Sequence, residues 1–306
     1  MEPDSKTLVA LEVQDRWGLS IVKYLGGTRN SQWLVDNGTQ QLVLRRYSAQ
    51  RFPDPDYELM VLRLVADAGW PVPRVVVPPT EISRELWSLV TACPGESRRH
   101  EGPAERQARG RLLASFHSTT SSFVSIGQRE GFSRSDEGLL DAELDLLLER
   151  YEPLFPWESR ALRWHLDWCR SQFQGAPLDE LSQVVLHSDF APWNLLYTPG
   201  GELSGIVDFD ATHINYRIAE FALAWRGDED EVIQGYEEVQ PLTSLERRML
   251  LPIYWGWLFL DIKPSLRDHI SGQAAGPHFG WQMNHFAKRS PNIAPFAPTY
   301  PGPLRL

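Results

Sequence analysis

A switch in hydrophobic period near residue 93 divides this chain and restricts the folds open to it. Up to that point the apolar residues fall in short β-rich runs at 19–24, 31–35 and 41–46, with Gly26, Gly27, Asn37 and Gly38 supplying the turns. Residues 57–68 break the pattern: Leu59, Leu62, Val65 and Ala66 recur at helical spacing until Gly69 and Pro71 end it. The segment 71–79, bounded by prolines, reads as rigid extended chain, and 86–92 as another strand that Pro94 and Gly95 cannot prolong. These signals predict a five-stranded antiparallel sheet with one helix packed on it.

After Gly102 and Pro103 the period becomes helical. Ala108, Leu112, Leu113 and Phe116 share one face, Leu140, Leu144, Leu147 and Leu148 share another, and a third helix is expected at 159–173. Two short apolar runs, 183–186 and 204–207, interrupt the helices and read as a small hairpin, with a turn at Pro199, Gly200 and Gly201. Thr243 and Glu246 form a capping box ahead of an apolar helix at 249–262. Trp255, Trp257 and Phe259 recur at every second residue of that helix, so they cannot all face one side. Most of that set is expected in the core, the alternative being an aromatic cage for a choline-type substrate. The tail after Gly272 is rich in proline and aromatic residues. The fold class is therefore α+β, a small antiparallel β region at 1–93 followed by a mainly helical region at 94–306.

The chain has 306 residues, 42% of them hydrophobic, enough for one large domain or two lobes with substantial cores. The apolar run 249–262, broken by Pro252 and Gly256, falls short of the roughly 20 residues a membrane-spanning helix needs. Glu2, Asp4 and Lys6 near the start do not form the basic and apolar stretches of a secretory signal. Cys93 and Cys169 lie far apart, without histidines at zinc-ligand spacing, so neither a disulfide framework nor a structural metal is suggested. A cytoplasmic protein with no membrane partner is expected. Forty acidic against thirty basic residues, a formal charge of −10, argue against nucleic acid as a partner and favour cationic ligands only weakly.

The strongest chemical signal is His187, Ser188 and Asp189, then Asn194, then Asp208 at the end of the second apolar run. Phosphoryl transfer leaves the protein little covalent work. It needs a carboxylate to receive or orient the hydroxyl proton, and oxygen ligands for magnesium. An asparagine amide and one or two carboxylates satisfy the second need, because Mg2+ prefers hard oxygens and keeps phosphate and water as its other ligands. A loop carrying Asp189 and Asn194, with Asp208 delivered by a hairpin, can bring the three to one cleft. Taken singly, aspartate and asparagine in such positions are more often turn formers. Their order and spacing together carry the assignment.

The segment from His187 through Asn194 resembles the catalytic loop of the aminoglycoside phosphotransferase and choline kinase-like proteins. The run Ile206, Val207, Asp208, Phe209, Asp210 resembles their metal-binding segment. The resemblance covers nearly the whole chain and implies a protein-kinase-like, two-lobed fold, with a nucleotide-binding lobe at 1–93 and a catalytic and substrate-binding lobe at 94–306. It implies Asp189 as base, Asn194, Asp208 and Asp210 as metal ligands, and His187 as a brace for the loop. Gly26, Gly27, Thr28, Arg29, Asn30 and Ser31 resemble the nucleotide-positioning loop, which makes Gly27, Thr28, Asn30 and Ser31 candidate nucleotide contacts. Arg45 takes the place of the usual strand lysine, and Glu58 matches the helix glutamate that pairs with it. Arginine stays charged and can hold phosphate bidentately, whereas Arg46 would point to the opposite face of its strand. The linker at 89–93 would meet the nucleobase through Thr91 and Cys93. Glu220 stands where the family usually has aspartate, and is read as holding the loop through hydrogen bonds.

The expected co-substrates are Mg2+ with ATP or GTP, and the expected partner is a small hydroxyl-bearing molecule. Phe209 is followed by Asp210 rather than glycine, and no long activation segment follows, which disfavours a protein kinase. The leading expectation is an antibiotic phosphotransferase acting on an aminoglycoside-type or nucleoside acceptor. The runner-up is a metabolite kinase of the homoserine, choline or sugar kind. An inactive nucleotide-binding or scaffold protein is the alternative from another class, against which the intact Asp189, Asn194 and Asp208 argue. The acidic cluster of Asp228, Glu229, Asp230, Glu231, Glu237 and Glu238 is either a pocket for a polycation or a solvated face.

Overall fold

A computed structural model describes residues 9, 11–27, 29–49, 51–98, 100–140, 142–273 and 277–290. In chain order the first elements are α1 (Leu11–Trp17), β1 (Ser20–Gly26), β2 (Ser31–Asp36), β3 (Gln41–Tyr47), α2 (Pro55–Asp67), β4 (Val75–Ile82), β5 (Glu85–Thr91) and β6 (Glu96–Ser97). Next come α3 (Pro103–Thr120), α4 (Ser135–Leu139), α5 (Ala142–Tyr151), α6 (Pro156–Phe173), β7 (Gln183–Leu186), β8 (Leu195–Tyr197), β9 (Leu203–Ile206) and β10 (His213–Tyr216). The last are α7 (Phe221–Ala224), α8 (Asp230–Val239), α9 (Ser244–Ile270) and α10 (Pro277–Arg289). The described residues fall into two compact units, one within Met1–His100, Gln128–Gly131 and Ala191–Thr212, the other within Glu101–Gly127, Phe132–Phe190 and His213–Leu306.

The first unit contains the expected five-stranded antiparallel sheet, in the order β1-β2-β3-β5-β4. Alternation along β2 and β3 turns Trp33, Val35, Leu42 and Leu44 to one face, where they meet Trp87, Leu89 and Val13 of α1 with no more than 2% exposure each. The helix α1 is an addition to the single helix read from the sequence. The opposite face of β3 presents Arg45 to Glu58 of α2. Arg46, one residue on, lies over the rings of Trp33 and Trp87 instead. The extended segment after Pro71 becomes the strand β4 from Val75. A second sheet, β6-β8-β9, completes the unit, and Ile206 N–H donates to the Pro71 carbonyl at 2.8 Å. The segment around β8 and β9 thus packs with the first hundred residues, whereas the sequence division placed everything after residue 93 in the second lobe.

The expected hairpin between 183–186 and 204–207 does not form. β7 pairs with β10, with Leu186 opposite His213 and Gln183 opposite Tyr216. β9 pairs with β8, with Ile206 opposite Leu195. The three-residue β8 is too short to give a periodic signal, yet the turn closed by Gly201 N–H on the Thr198 carbonyl makes it the nearest antiparallel partner of β9.

The second unit is mainly helical. α3 crosses α8 so closely that a Cβ at Gly110 would lie 2.0 Å from the Val232 carbonyl, and one at Gly235 would lie 1.9 Å from that of Gln107. Only paired glycines permit that approach. The long α9 starts on the expected capping box, with Glu246 N–H donating to Thr243 Oγ1 at 3.1 Å and Thr243 N–H to Glu246 Oε2 at 2.8 Å. It extends past residue 262 to Ile270 and buries Met249, Trp255, Phe259 and Ile262, while Trp257 is half-buried beside Trp281. Leu140, expected on an apolar face with Leu144, Leu147 and Leu148, falls between α4 and α5 and is exposed. Among the described residues no helix is long and apolar enough to cross a membrane.

Candidate active site

The sequence-derived site residues divide between the two units, with His187, Asp189 and Glu220 in the second and Gly27, Asn30, Ser31, Arg45, Glu58, Thr91, Cys93, Asn194, Asp208 and Asp210 in the first. Gly27 adopts φ +128°, and a Cβ there would fall 1.8 Å from the Asn30 carbonyl oxygen, so this turn closes only on glycine. Thr28 lies outside the described residues. Asn30 is buried, its Oδ1 accepting the Ser48 N–H at 3.2 Å and its Nδ2 donating to Asp210 Oδ2 at 2.7 Å. Ser31 opens β2 opposite Arg46.

Arg45 stands between two carboxylates. Its NH1 donates to Glu58 Oε1 at 2.6 Å and lies 2.6 Å from Asp210 Oδ1. Burial works against the guanidinium charge, but Glu58 and Asp210 outweigh it and hold Arg45 charged well beyond its usual range. Arg129, also buried, donates through NH1 to the carbonyls of Asp210 at 2.7 Å and Thr212 at 3.0 Å, and through Nε to that of Pro53 at 3.0 Å. Nothing in the sequence pattern around Arg129 signals this role.

Asn194 closes a 3-10 turn at Pro192–Asn194 and is buried, and its carbonyl accepts the Val207 N–H at 2.9 Å. That bond sets it beside the strand that leads into Asp208. Asp208 is exposed and takes φ +70°, a left-handed conformation that costs energy outside glycine. Thr91 ends β5, its Oγ1 accepting the Arg74 N–H at 2.8 Å. Cys93 is half-buried, and burial pushes its thiol up to about 11, so it stays protonated at neutral pH.

In the second unit the loop after β7 carries Asp189, half-buried, behind Ser188 at φ +70°. His187 is fully buried, and its Nδ1 accepts the Asp189 N–H at 3.2 Å, as expected of a brace. Glu220, 1% exposed, accepts the N–H of His187 at 2.8 Å and of Phe190 at 3.3 Å. Burial alone would raise its carboxyl, yet His117, His187 and the Ser188 N–H bring it below the ordinary value. The His117 ring nitrogen Nε2 lies 3.6 Å from Glu220, and its Nδ1 meets the Tyr236 hydroxyl at 3.0 Å. Burial holds His117 below the usual histidine range. Arg109, 1% exposed, donates to the carbonyls of Phe190 at 3.3 Å and Ala224 at 2.7 Å and pairs with Glu101 and Glu229. Its place on the stripe of Leu112, Leu113 and Phe116 was a signal the sequence offered. Arg226 is lowered by burial, while the Asp189 charge acts to hold it up.

The acidic cluster is a largely solvated face laced with ion pairs, the side chains of Asp228, Asp230 and Glu238 being about half exposed. Asp228 meets Lys288 at 2.9 Å, Glu229 meets Arg109, Asp230 meets Arg289, and Glu231 lies 3.6 Å from Arg106. Glu237 meets Arg247 at 2.7 Å and Glu238 meets Arg111 at 2.9 Å.

The profile of the phosphotransferase enzyme family matches residues 20–247. The homoserine kinase of Caulobacter sp. (strain K31) is 26% identical over 245 residues, which covers 72% of this chain and 72% of that protein. Among solved structures, a spectinomycin phosphotransferase in complex with ADP and spectinomycin superposes with a TM-score of 0.63 at 16% identity, covering 92% of this chain and 94% of its own. The choline kinase of Streptococcus pneumoniae gives 0.62 at 15% identity, covering 92% and 98%. At those identities the structural likeness concerns the fold.

Proposed function

The chain belongs to the phosphotransferase enzyme family, with a nucleotide as co-substrate and a hydroxyl of a small molecule as acceptor, and on that premise we propose that it is an ATP-dependent kinase of a small hydroxy amino acid or amino alcohol. Asp189 serves as the base that receives or orients the hydroxyl proton. The observation that carries the choice of acceptor is the matching of all six members of the acidic cluster by basic side chains, which leaves that face without the net negative charge that would attract a polycationic antibiotic. The sequence match to homoserine kinases points the same way.

Gly27, Asn30, Ser31 and Arg45 would line the nucleotide, with Glu58 holding Arg45 and the linker at Thr91 and Cys93 meeting the base. Among the described residues no three His, Cys, Asp or Glu side chains cluster tightly enough to hold a metal ion alone. Asn194 and Asp208 offer hard oxygens from adjoining segments, a donor set that suits Mg2+ completed by phosphate oxygens and water. The ion, when bound, neutralises charge on the transferring phosphoryl group.

Nucleoside diphosphate release, measured with Mg2+ and either ATP or GTP over homoserine, choline, aminopropanol, spectinomycin and hygromycin B, tests the assignment. Stimulation by homoserine or a close analogue is expected. Stimulation by an antibiotic alone would restore the acceptor class that led the sequence reading. Asp189→Ala should lower kcat by at least about 100-fold, and full activity in that variant would remove it as the base.

A further inference from the structure

Two neighbouring carboxylates, Asp208 and Asp210, follow β9. Asp208 is exposed on a left-handed residue. Asp210 has both oxygens engaged, Oδ1 at 2.6 Å from Arg45 NH1 and Oδ2 accepting Asn30 Nδ2 at 2.7 Å. Its backbone carbonyl accepts Arg129 NH1 at 2.7 Å, and Asn30 is itself fixed by the Ser48 N–H. Turning Asp210 toward a metal would break an ion pair and a hydrogen bond together.

We infer that Asp210 is the second counter-ion of Arg45, a positioning residue of the nucleotide site and not a metal ligand. The inference rests on reading the first unit as the place where the nucleotide binds. A lysine at position 45 would bring a compact ammonium that one carboxylate can answer. A guanidinium spreads its charge over a planar fork of five donors, and here two carboxylates converge on its single nitrogen NH1, Glu58 through a hydrogen bond and Asp210 as an ion pair. Asp210 thus adds a second negative charge beside the same buried nitrogen, with side-chain exposures of 11% for Arg45, 3% for Glu58 and 15% for Asp210. Arginine at 45 and aspartate at 210 are thus one interdependent choice. Through Asn30 the same carboxylate also ties Arg45 to the turn that begins at Gly27. Arg45 is therefore oriented for phosphate before any metal arrives.

The test is nucleotide affinity with and without metal. A fluorescent ATP analogue is titrated into the wild type, Asp208→Asn, Asp210→Asn, Arg45→Lys and the Arg45→Lys/Asp210→Asn double variant, each in EDTA and in excess Mg2+. Asp210→Asn is expected to bind about tenfold more weakly in both buffers, and Asp208→Asn to lose affinity only with Mg2+. The double variant should bind more tightly than Asp210→Asn alone, because the ammonium that replaces the guanidinium needs only Glu58. Asn30→Ala, which frees one oxygen of Asp210 without removing charge, should show the same metal-independent loss on a smaller scale, and it stands in if Asp210→Asn does not fold. Wild-type affinity for Asp210→Asn or Asn30→Ala in EDTA, or no recovery in the double variant, would overturn the inference. A wild-type protein that binds no nucleotide in either buffer would instead remove the nucleotide reading, and the inference with it.

Discussion

The two units fix their functional groups by different physical means. In the first, charge answers charge: Arg45 sits between Glu58 and Asp210, and a second guanidinium, Arg129, grips the backbone beside them. In the second, one buried carboxylate accepts a row of backbone N–H groups and so shapes the loop that carries Asp189. An ion-pair network responds mainly to the sign and number of its charges. A backbone cage responds to the length and protonation of the acceptor at its centre. Substitutions in the first unit should therefore act on nucleotide affinity, and those in the second on turnover and stability.

Glu220→Gln is the most severe way to break this comparison. The amide keeps the shape but turns one acceptor oxygen into a donor, which then faces the N–H of either His187, now on Oε2, or Phe190, now on Oε1. Leaving such buried groups without an acceptor costs about 2–4 kcal/mol. Denaturant unfolding should show that loss, and steady-state kinetics should show kcat down at least about tenfold with nucleotide affinity within about twofold. Equal falls in affinity and turnover would mean that the cage also governs the nucleotide side. Glu220→Asp, shorter by one methylene, should lie between the two.

The part of this design visible in the sequence was the part written in periodic or consecutive residues. Alternation gave the strands around Trp33 and Leu44, the capping box gave the start of α9, and the order of residues from Asp189 to Asp208 pointed to the phosphotransferase class. Glu220 as a holder of the loop was legible because it stands at a position where the resemblance demands a carboxylate. What was not legible depends on contacts far apart in the chain. Asn30 and Asp210 lie 180 positions apart, and Arg129 reaches back to Pro53, so neither bond leaves a local pattern. The pairing of β8 with β9 failed for another reason, since three residues are too few to show a period of two.

Gly27→Ala sharpens the comparison from the side of the first unit. The added methyl would meet the Asn30 carbonyl at 1.8 Å in a backbone conformation of φ +128°, so the turn must open. Asn30 carries Asp210, and Asp210 carries Arg45, so the disturbance should pass to the phosphate-facing group. Nucleotide KM is expected to rise about tenfold, with kcat and the melting temperature little changed. A variant whose kcat falls at unchanged KM would contradict the chain of contacts from Gly27 to Arg45.

The smallest expected effect concerns acid. The buried histidines, among them His117, His165 and His285, all belong to the second unit, whereas His100 in the first is exposed. Burial lowers these three, His165 to about 4 and His285 to about 3. A histidine kept neutral in the fold is protonated more readily once unfolded, so the unfolded state binds more protons as pH falls below about 6.5. Stability of the second unit should therefore be full above that value and decline beneath it. The depressed Glu220 carboxyl adds a further loss below its ordinary value of 4.5, as pH falls toward its value in the fold. Hydrogen exchange followed by peptide at pH 7.5, 6.0 and 5.0, corrected for intrinsic rates, should show protection in α3, α6 and α9 weakening before that in β2, β3 and β5. Because the sheet holds no buried histidine, its own protection has no proton-linked reason to fall in this window. A loss there in step with the helices would mean that the two units unfold as one, and that the separate control of affinity and turnover does not extend to stability.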